Sequence, residues 1–129
     1  MKKRKNISSG AIWEDKVGYS RAVKVDDLIE ISGTTAVNGS EVVAVGDPYE
    51  QTKFIIEKIS SILEEVGSSL KDIVRVRIYV REISHWEKVG KAFSEYFKDI
   101  KPAATLVEVS SLIDPQLLVE MEATAIITE

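Results

Sequence analysis

The chain has 129 residues, 44% apolar and 29% charged, with a net charge of −4. That length suits a single domain over residues 1–129 that buries its own core, and the acidic balance argues against a general nucleic-acid footprint. With no cysteine, disulfides, thiol nucleophiles and thiolate metal sites are excluded, and the single His85 excludes a multi-histidine metal centre within one chain.

No apolar run approaches membrane-spanning length, and Met1-Lys2-Lys3-Arg4-Lys5 is not followed by the apolar core of a signal peptide. A cytoplasmic protein without a membrane partner is expected, its basic start a solvated tail. Residues 7–16 are mixed and read as irregular. Gly18 to Lys24 alternates and reads as a first strand. Asp26-Asp27 turns the chain into a second, antiparallel strand, Leu28 to Gly33. Asn38-Gly39 predicts a small hairpin between Thr35-Ala36-Val37 and Glu41-Val42-Val43.

A helix follows with clear punctuation. Asp47 is its N-cap, Pro48 its first residue and Glu50 the third position of a capping box. Ile55, Ile59, Ile62, Leu63 and Val66 form an apolar stripe, and Gly67 stops the helix. Leu70 to Arg81 is the third strand. Val74, Val76, Ile78 and Val80 share one face; Arg75, Arg77, Tyr79 and Arg81 share the other. A second helix opens at Ser84 with Glu87 three residues on, and Trp86, Val89, Phe93, Tyr96 and Phe97 follow at core spacing. Pro102 ends that helix and forces Lys101 out of the helical region. In the strand beyond it, Ala104, Leu106 and Glu108 face one way, and Ala103, Thr105 and Val107 the other. After Asp114-Pro115 a long strand runs from Leu117 to Thr128.

The order β-β-α-β-α-β-β predicts an α/β (α+β) fold: one mixed sheet with two helices packed on one face. The other face is expected to carry Arg75, Arg77 and Tyr79 opposite Glu120, Glu122 and Thr124, as cross-strand charge pairs suited to burial in a symmetric oligomer. Arg75, Arg77 and Arg81 could instead form a basic RNA groove. The acidic chain favours pairing with Glu108, Glu120 and Glu122, so a nucleic-acid partner is not expected.

Several segments, in order, carry a family resemblance. They are Gly18-Tyr19-Ser20-x-Ala22, Ser32-Gly33, Gln51-Thr52, Glu65-x-Gly67-x-Ser69-Leu70-x-Asp72, Pro102-Ala103-x-Thr105-x-Val107-Glu108-Val109 and Val119-Glu120-Met121-Glu122-Ala123. From about Ile7 to Ile127 the chain resembles the reactive intermediate deaminases, the Rid or YjgF (endoribonuclease L-PSP-like) family. The resemblance implies a chorismate-mutase-like fold and a homotrimer with a barrel-like core of inward-facing sheets and three clefts between subunits. It implies hydrolysis of reactive imine or enamine metabolites without metal or cofactor. In deaminase members an arginine after the Pro-Ala pair grips the carboxylate of a 2-imino acid. A glutamate matching Glu120 helps position the hydrolytic water. A tyrosine and a serine matching Tyr19 and Ser32 line the cleft, which backbone groups of the Pro102 strand, around Ala104 and Thr105, complete.

The chain departs from that pattern where it matters. Ala104 stands in place of the arginine, Gly90 in place of an asparagine and Phe93 in place of a tyrosine. Losing a bidentate charge contact in a desolvated site costs about 2–5 kcal/mol of binding. Standard 2-imino acids are therefore not the expected substrates. Arg21 is the candidate replacement cation, unless it pairs with Glu30 or Glu120. The candidate site is thus Glu120 for catalysis, with Tyr19, Arg21, Ser32, Ala104 and Thr105 for binding. Two other functions stand beside deaminase-like hydrolysis: a non-catalytic metabolite binder or sensor, and an RNA-binding, endoribonuclease-like translation inhibitor.

Overall fold

The computed structural model describes residues 3–128; Met1 and Lys2 of the expected basic tail lie outside them. In chain order the strands are β1 (Arg4–Ile7), β2 (Ala22–Val25), β3 (Leu28–Thr35), β4 (Val37–Asn38), β5 (Glu41–Val42), β6 (Ile73–Val80), β7 (Ala103–Glu108) and β8 (Val119–Ile126). The helices are α1 (Pro48–Glu65), before β6, and α2 (Trp86–Phe97), between β6 and β7. Six strands form one open sheet in the order β1-β2-β3-β8-β6-β7, and β4 pairs only with β5. β6 and β7 are parallel and the other main pairs antiparallel, so the sheet is mixed as expected. One chain makes no closed barrel; β1 and β7 are left as edges.

α1 is built as its punctuation predicts. The Asp47 carboxylate accepts from the Glu50 N–H at 3.0 Å. At the far end the Gly67 N–H reaches Glu64 O at 3.3 Å and the Ser68 N–H reaches Leu63 O at 3.0 Å. That double bond requires a left-handed residue, and Gly67 supplies it at φ +81°. Ile55, Ile56, Ile59, Ile62 and Leu63 are buried against the sheet, each worth about 1.5–3 kcal/mol of apolar transfer. Gln51 is wholly buried, yet its amide is satisfied: it donates to Gln116 O at 3.0 Å and accepts from the Leu118 N–H at 2.9 Å. This ties the start of α1 to the loop entering β8.

Several expectations are corrected. The N-terminal stretch is not wholly irregular: β1 pairs with β2, Ile7 opposite Ala22, and both are buried. The first strand begins at Ala22, not Gly18, because Glu14–Gly18 winds into a wide helical turn closed by the Tyr19 N–H on Glu14 O at 3.0 Å. The hairpin turns on Gly39-Ser40, one residue later than predicted, because Asn38 pairs with Glu41. Val74 is exposed rather than core-facing. β6 bulges there, since Ile73 and Arg75 oppose the adjacent residues Ala125 and Thr124, and Ile73 takes the buried place. The Ser84 cap is not formed; α2 follows a tight turn over Ile83–His85, and Trp86 is 56% exposed because the buried stripe takes hold only from Val89. His85 is half-buried, its Nδ1 enclosed without a partner. Lys101 leaves the helical region as expected, and does so at φ +54°.

β8 settles its own parity. Val119, Met121, Ala123 and Ala125 are buried towards the helices, and Glu120, Glu122 and Thr124 lie on the open face. Arg77 stands opposite Glu122, and Tyr79 opposite Glu120. The expected arginine–glutamate ion pairs are nevertheless not made. Among the described residues the one ion pair is Lys53–Glu95 at 4.0 Å, on the helices. Glu122 accepts from the Tyr79 hydroxyl, Arg75 donates to Thr105 Oγ1 at 2.7 Å, and Glu108 accepts from the Ile83 N–H at 2.8 Å. Hydroxyl and backbone partners within one chain satisfy these groups first. No helix among the described residues is long and apolar enough to cross a membrane.

Candidate functional site

The open face of the sheet holds two adjacent depressions. The larger, about 520 Å³, is lined by Arg4 and Asn6 of β1, Glu14, Tyr19 and, on β3, Ser32. The smaller, about 330 Å³, is lined by Gly33, Tyr79, Ser111, Glu120 and Glu122. Ser32 and Gly33 are consecutive, so the two depressions adjoin at neighbouring residues of β3. There the pairing with β8 slips: Ile31 opposes Ala123 and Thr34 opposes Met121, leaving one extra residue on β3. A bulge re-aims side chains and backbone, and here it divides the two depressions.

Gly33 is needed at that bulge for space. A Cβ built on it would lie 2.0 Å from Oε2 of Glu120, so the carboxylate occupies the room a side chain would take. Burial pushes the Glu120 carboxyl above the usual carboxylate range; the charge of Glu122 adds to this, and the positive charge of Arg21 works against it. Burial is also the larger influence on Lys58 of α1, whose amine is lowered, with the charge of Arg21 adding. Lys58 donates to the carbonyls of Val37 at 2.9 Å and Thr35 at 3.4 Å, just past the bulge.

The loop before Tyr19 is held by Glu14, only 4% exposed. Its carboxylate accepts from Ser8 Oγ at 2.8 Å, from Ser9 Oγ and from the Ser9 N–H. Burial raises its pKa, but those hydrogen bonds, with a contribution from Arg21, outweigh burial and leave it below the usual value. Glu14 both packs and rims the depression, and Trp13 is exposed. The serines six and five residues before Glu14 were the available signal, a carboxylate within reach of short donors.

The sequence-predicted residues fall into four places. Tyr19 and Ser32 share the larger depression, the Ser32 hydroxyl donating to Ser20 O at 2.7 Å. Glu120 lies in the neighbouring one. Arg21 lines neither: it donates through Nη2 to Gly33 O, its Nε is buried without a partner, and it forms no ion pair with Glu30 or Glu120. Glu30 accepts instead from Thr124 Oγ1 at 2.6 Å. Ala104 and Thr105 are exposed on the edge strand β7, two strands from β8. Thr105 pairs with Arg77 and faces the open side. Ala104 pairs with Val76 and faces the helix side, so a single chain does not bring Ala104 and Glu120 together. Sequence reading missed the β1 residues Arg4 and Asn6, and the Tyr79–Glu122 contact; the alternation that put both on one face was visible, the contact was not.

Comparison with known proteins places this architecture. Residues 13–127 match the family described as Endoribonuclease L-PSP. The chain is 44% identical over 109 residues to a RutC family protein of Pyrococcus abyssi, covering 83% of this chain and 84% of that one. It is 33% identical over 108 residues to the 3-aminoacrylate deaminase RutC of Acinetobacter baylyi, with 83% and 85% covered. The crystal structure of a Mycobacterium tuberculosis member of the YjgF/YER057c/UK114 family superposes with a TM-score of 0.88 at 41% identity, covering 97% of this chain and 100% of that one. Fold, matched span and identities agree, and the chain belongs to the Endoribonuclease L-PSP family, also known as YjgF or Rid.

Proposed function

We propose that this protein hydrolyses a small imine or enamine to a carbonyl compound and ammonia, with Glu120 as the proton-transferring group. The observation that carries the reading is Glu120 itself: half-buried, seated on Gly33 and in an open depression, with burial raising its pKa so that its carboxylate is a stronger base. Glu120 removes a proton from water as the oxygen bonds to the carbon of the protonated C=N group, whose electron pair passes to nitrogen. Glu120 then gives that proton to the nitrogen of the resulting carbinolamine, the C–N bond breaks, and ammonia leaves as C=O forms and the hydroxyl proton passes back to Glu120. An enamine enters the same path once protonated at carbon. The name of the Acinetobacter relative, a 3-aminoacrylate deaminase, supports an enamine substrate.

The clefts are proposed to lie between subunits of a homotrimer. A site containing both faces of β7 and the Glu120 depression needs a second chain, because Ala104 and Glu120 face opposite sides of one sheet. Tyr19, Ser32 and Thr105 supply hydroxyls to such a cleft. Ala104 supplies no charge, so the substrate is not gripped through a carboxylate there. The test is ammonia release over a panel of 2-imino acids and uncharged enamines, for the wild type and Ala104→Arg. Wild-type turnover is expected on the uncharged members, with 2-imino acid hydrolysis rising in the variant. No rate above buffer on any member sinks the reading. The missing cation favours one second reading, a metabolite binder, marked by ligand-dependent rises in melting temperature without ammonia.

A further inference from the structure

Arg21 poses a problem that the proposed chemistry does not solve. It is a half-buried guanidinium on the residue that leads into β2, and no carboxylate lies within ion-pair distance of it among the described residues. A charge in that position needs a reason, since taking it partly out of water is costly. A substrate clamp would present its donors to a depression. Arg21 instead turns Nη2 onto the carbonyl of Gly33 and lines neither depression. The other side of that residue is where the Glu120 carboxylate rests, 2.0 Å from the place of a Gly33 Cβ.

We infer that Arg21 is a positioning residue for Glu120: its guanidinium anchors the Gly33 carbonyl at the β3 bulge, and so fixes both the seat of the carboxylate and the positive charge facing it. The role of Glu120 in proton transfer, proposed above, is the reading on which the catalytic part rests. The chain of contacts is short and directional. The Arg21 backbone already holds this corner, its carbonyl accepting from the Ser32 N–H at 3.1 Å. The side chain then bonds the next residue along. A bulge has one unpaired residue and is the least determined point of a ladder. A charged donor aimed at its carbonyl removes that freedom, and charge-assisted bonds are about twice as strong as neutral ones.

The charged and titratable groups facing Glu120 are few. Glu122, two residues along β8, raises its pKa, and its own carboxylate is held by the hydroxyl of Tyr79 from β6. Arg77, opposite Glu122, acts on Tyr79. Arg21, just before β2, is the group that lowers Glu120. Its removal leaves burial and Glu122 unopposed.

The test is a carboxyl-labelled NMR titration of Glu120 in the intact protein, with no substrate present, for wild type, Arg21→Met and Arg21→Lys. In Arg21→Met the Glu120 midpoint moves upward; Arg21→Lys, which keeps the charge, restores most of it. In the wild type, the Arg21 side-chain resonances titrate with the same midpoint as Glu120, a measurement that needs no variant to fold. An unchanged midpoint in folded Arg21→Met, or Arg21 resonances indifferent to Glu120, overturns the inference. With an active substrate in hand, Arg21→Met lowers kcat about 10- to 100-fold and moves the acid limb of the rate profile to higher pH. A rise in KM with kcat and pH profile unchanged makes Arg21 a substrate clamp instead. If the titration behaves as stated but no ammonia is released from any substrate, the positioning role stands and the hydrolase reading falls.

Discussion

Glu120 and Glu14 are two carboxyls on the same side of the sheet that the fold treats in opposite ways. Glu120 is half-buried beside a second carboxylate and has its pKa raised; Glu14 is almost wholly buried among serine donors and has its pKa lowered. Their effects on stability therefore have opposite signs. For Glu120 the folded state resists ionisation, so a penalty appears as pH rises above the unfolded value and is complete above the folded one. Glu120→Gln should raise the melting temperature at neutral pH, with the gain vanishing in acid, while ammonia release falls about 10²–10⁴-fold. For Glu14 the folded state favours ionisation. Its contribution is present above the unfolded pKa and lost as pH falls through the folded one. Glu14→Ala leaves the Ser8 and Ser9 donors without their acceptor and should cost about 1–3 kcal/mol in denaturant unfolding at neutral pH, with a smaller loss in acid. A loss independent of pH would show that only packing was removed.

Among the elements, α1 is the one whose ends are most fully written in local residues. Asp47 accepts from the N–H of the helix's third residue, Glu50, and Gly67 closes the other end in the left-handed region. Asp47→Ala should cost about 1 kcal/mol, read as a lower urea midpoint with unchanged slope. α2 is different: no side chain caps it, and it is entered from a tight turn whose first N–H is held by Glu108 of β7. That contact spans 25 residues and could not be read locally. The bulges at Ser32-Gly33 and at Val74 belong to the same class. A strand read by alternation alone has no place for an extra residue, so both were invisible until the partner strand imposed its register.

At the scale of the molecule, the sheet has a helix-covered face and an open one, and ends in an exposed parallel edge, β7. Such an edge presents unpaired backbone groups, and the apolar side chain of Val107 is 43% exposed on it. The proposed trimer would cover this edge and the open face together. Sedimentation equilibrium is expected to report three times the 14.3 kDa chain mass, and Val107→Lys, on the edge but outside both depressions, to shift the population towards monomer. A wild-type monomer at micromolar concentration would remove both the trimer and the inter-subunit clefts.

Local chemistry and periodicity determined which segments became helices, the sheet's two-faced character and the residues on each face. These depend on side-chain spacing along one segment, and Asp47 and Gly67 carry their part without help, whereas the parity of Val119 to Ala125 was ambiguous in the sequence and was settled by burial in the structure. Ordered motifs along the chain identified the family. Tertiary structure alone decided that Arg4–Ile7 is a strand, that Arg21 serves the Gly33 carbonyl rather than an acid, and that Ala104 and Glu120 look away from each other. Each of these turns on a strand register or on one backbone bulge. A one-residue slip of pairing exchanges the two faces of a strand, and nothing within a single segment records where its partner will sit.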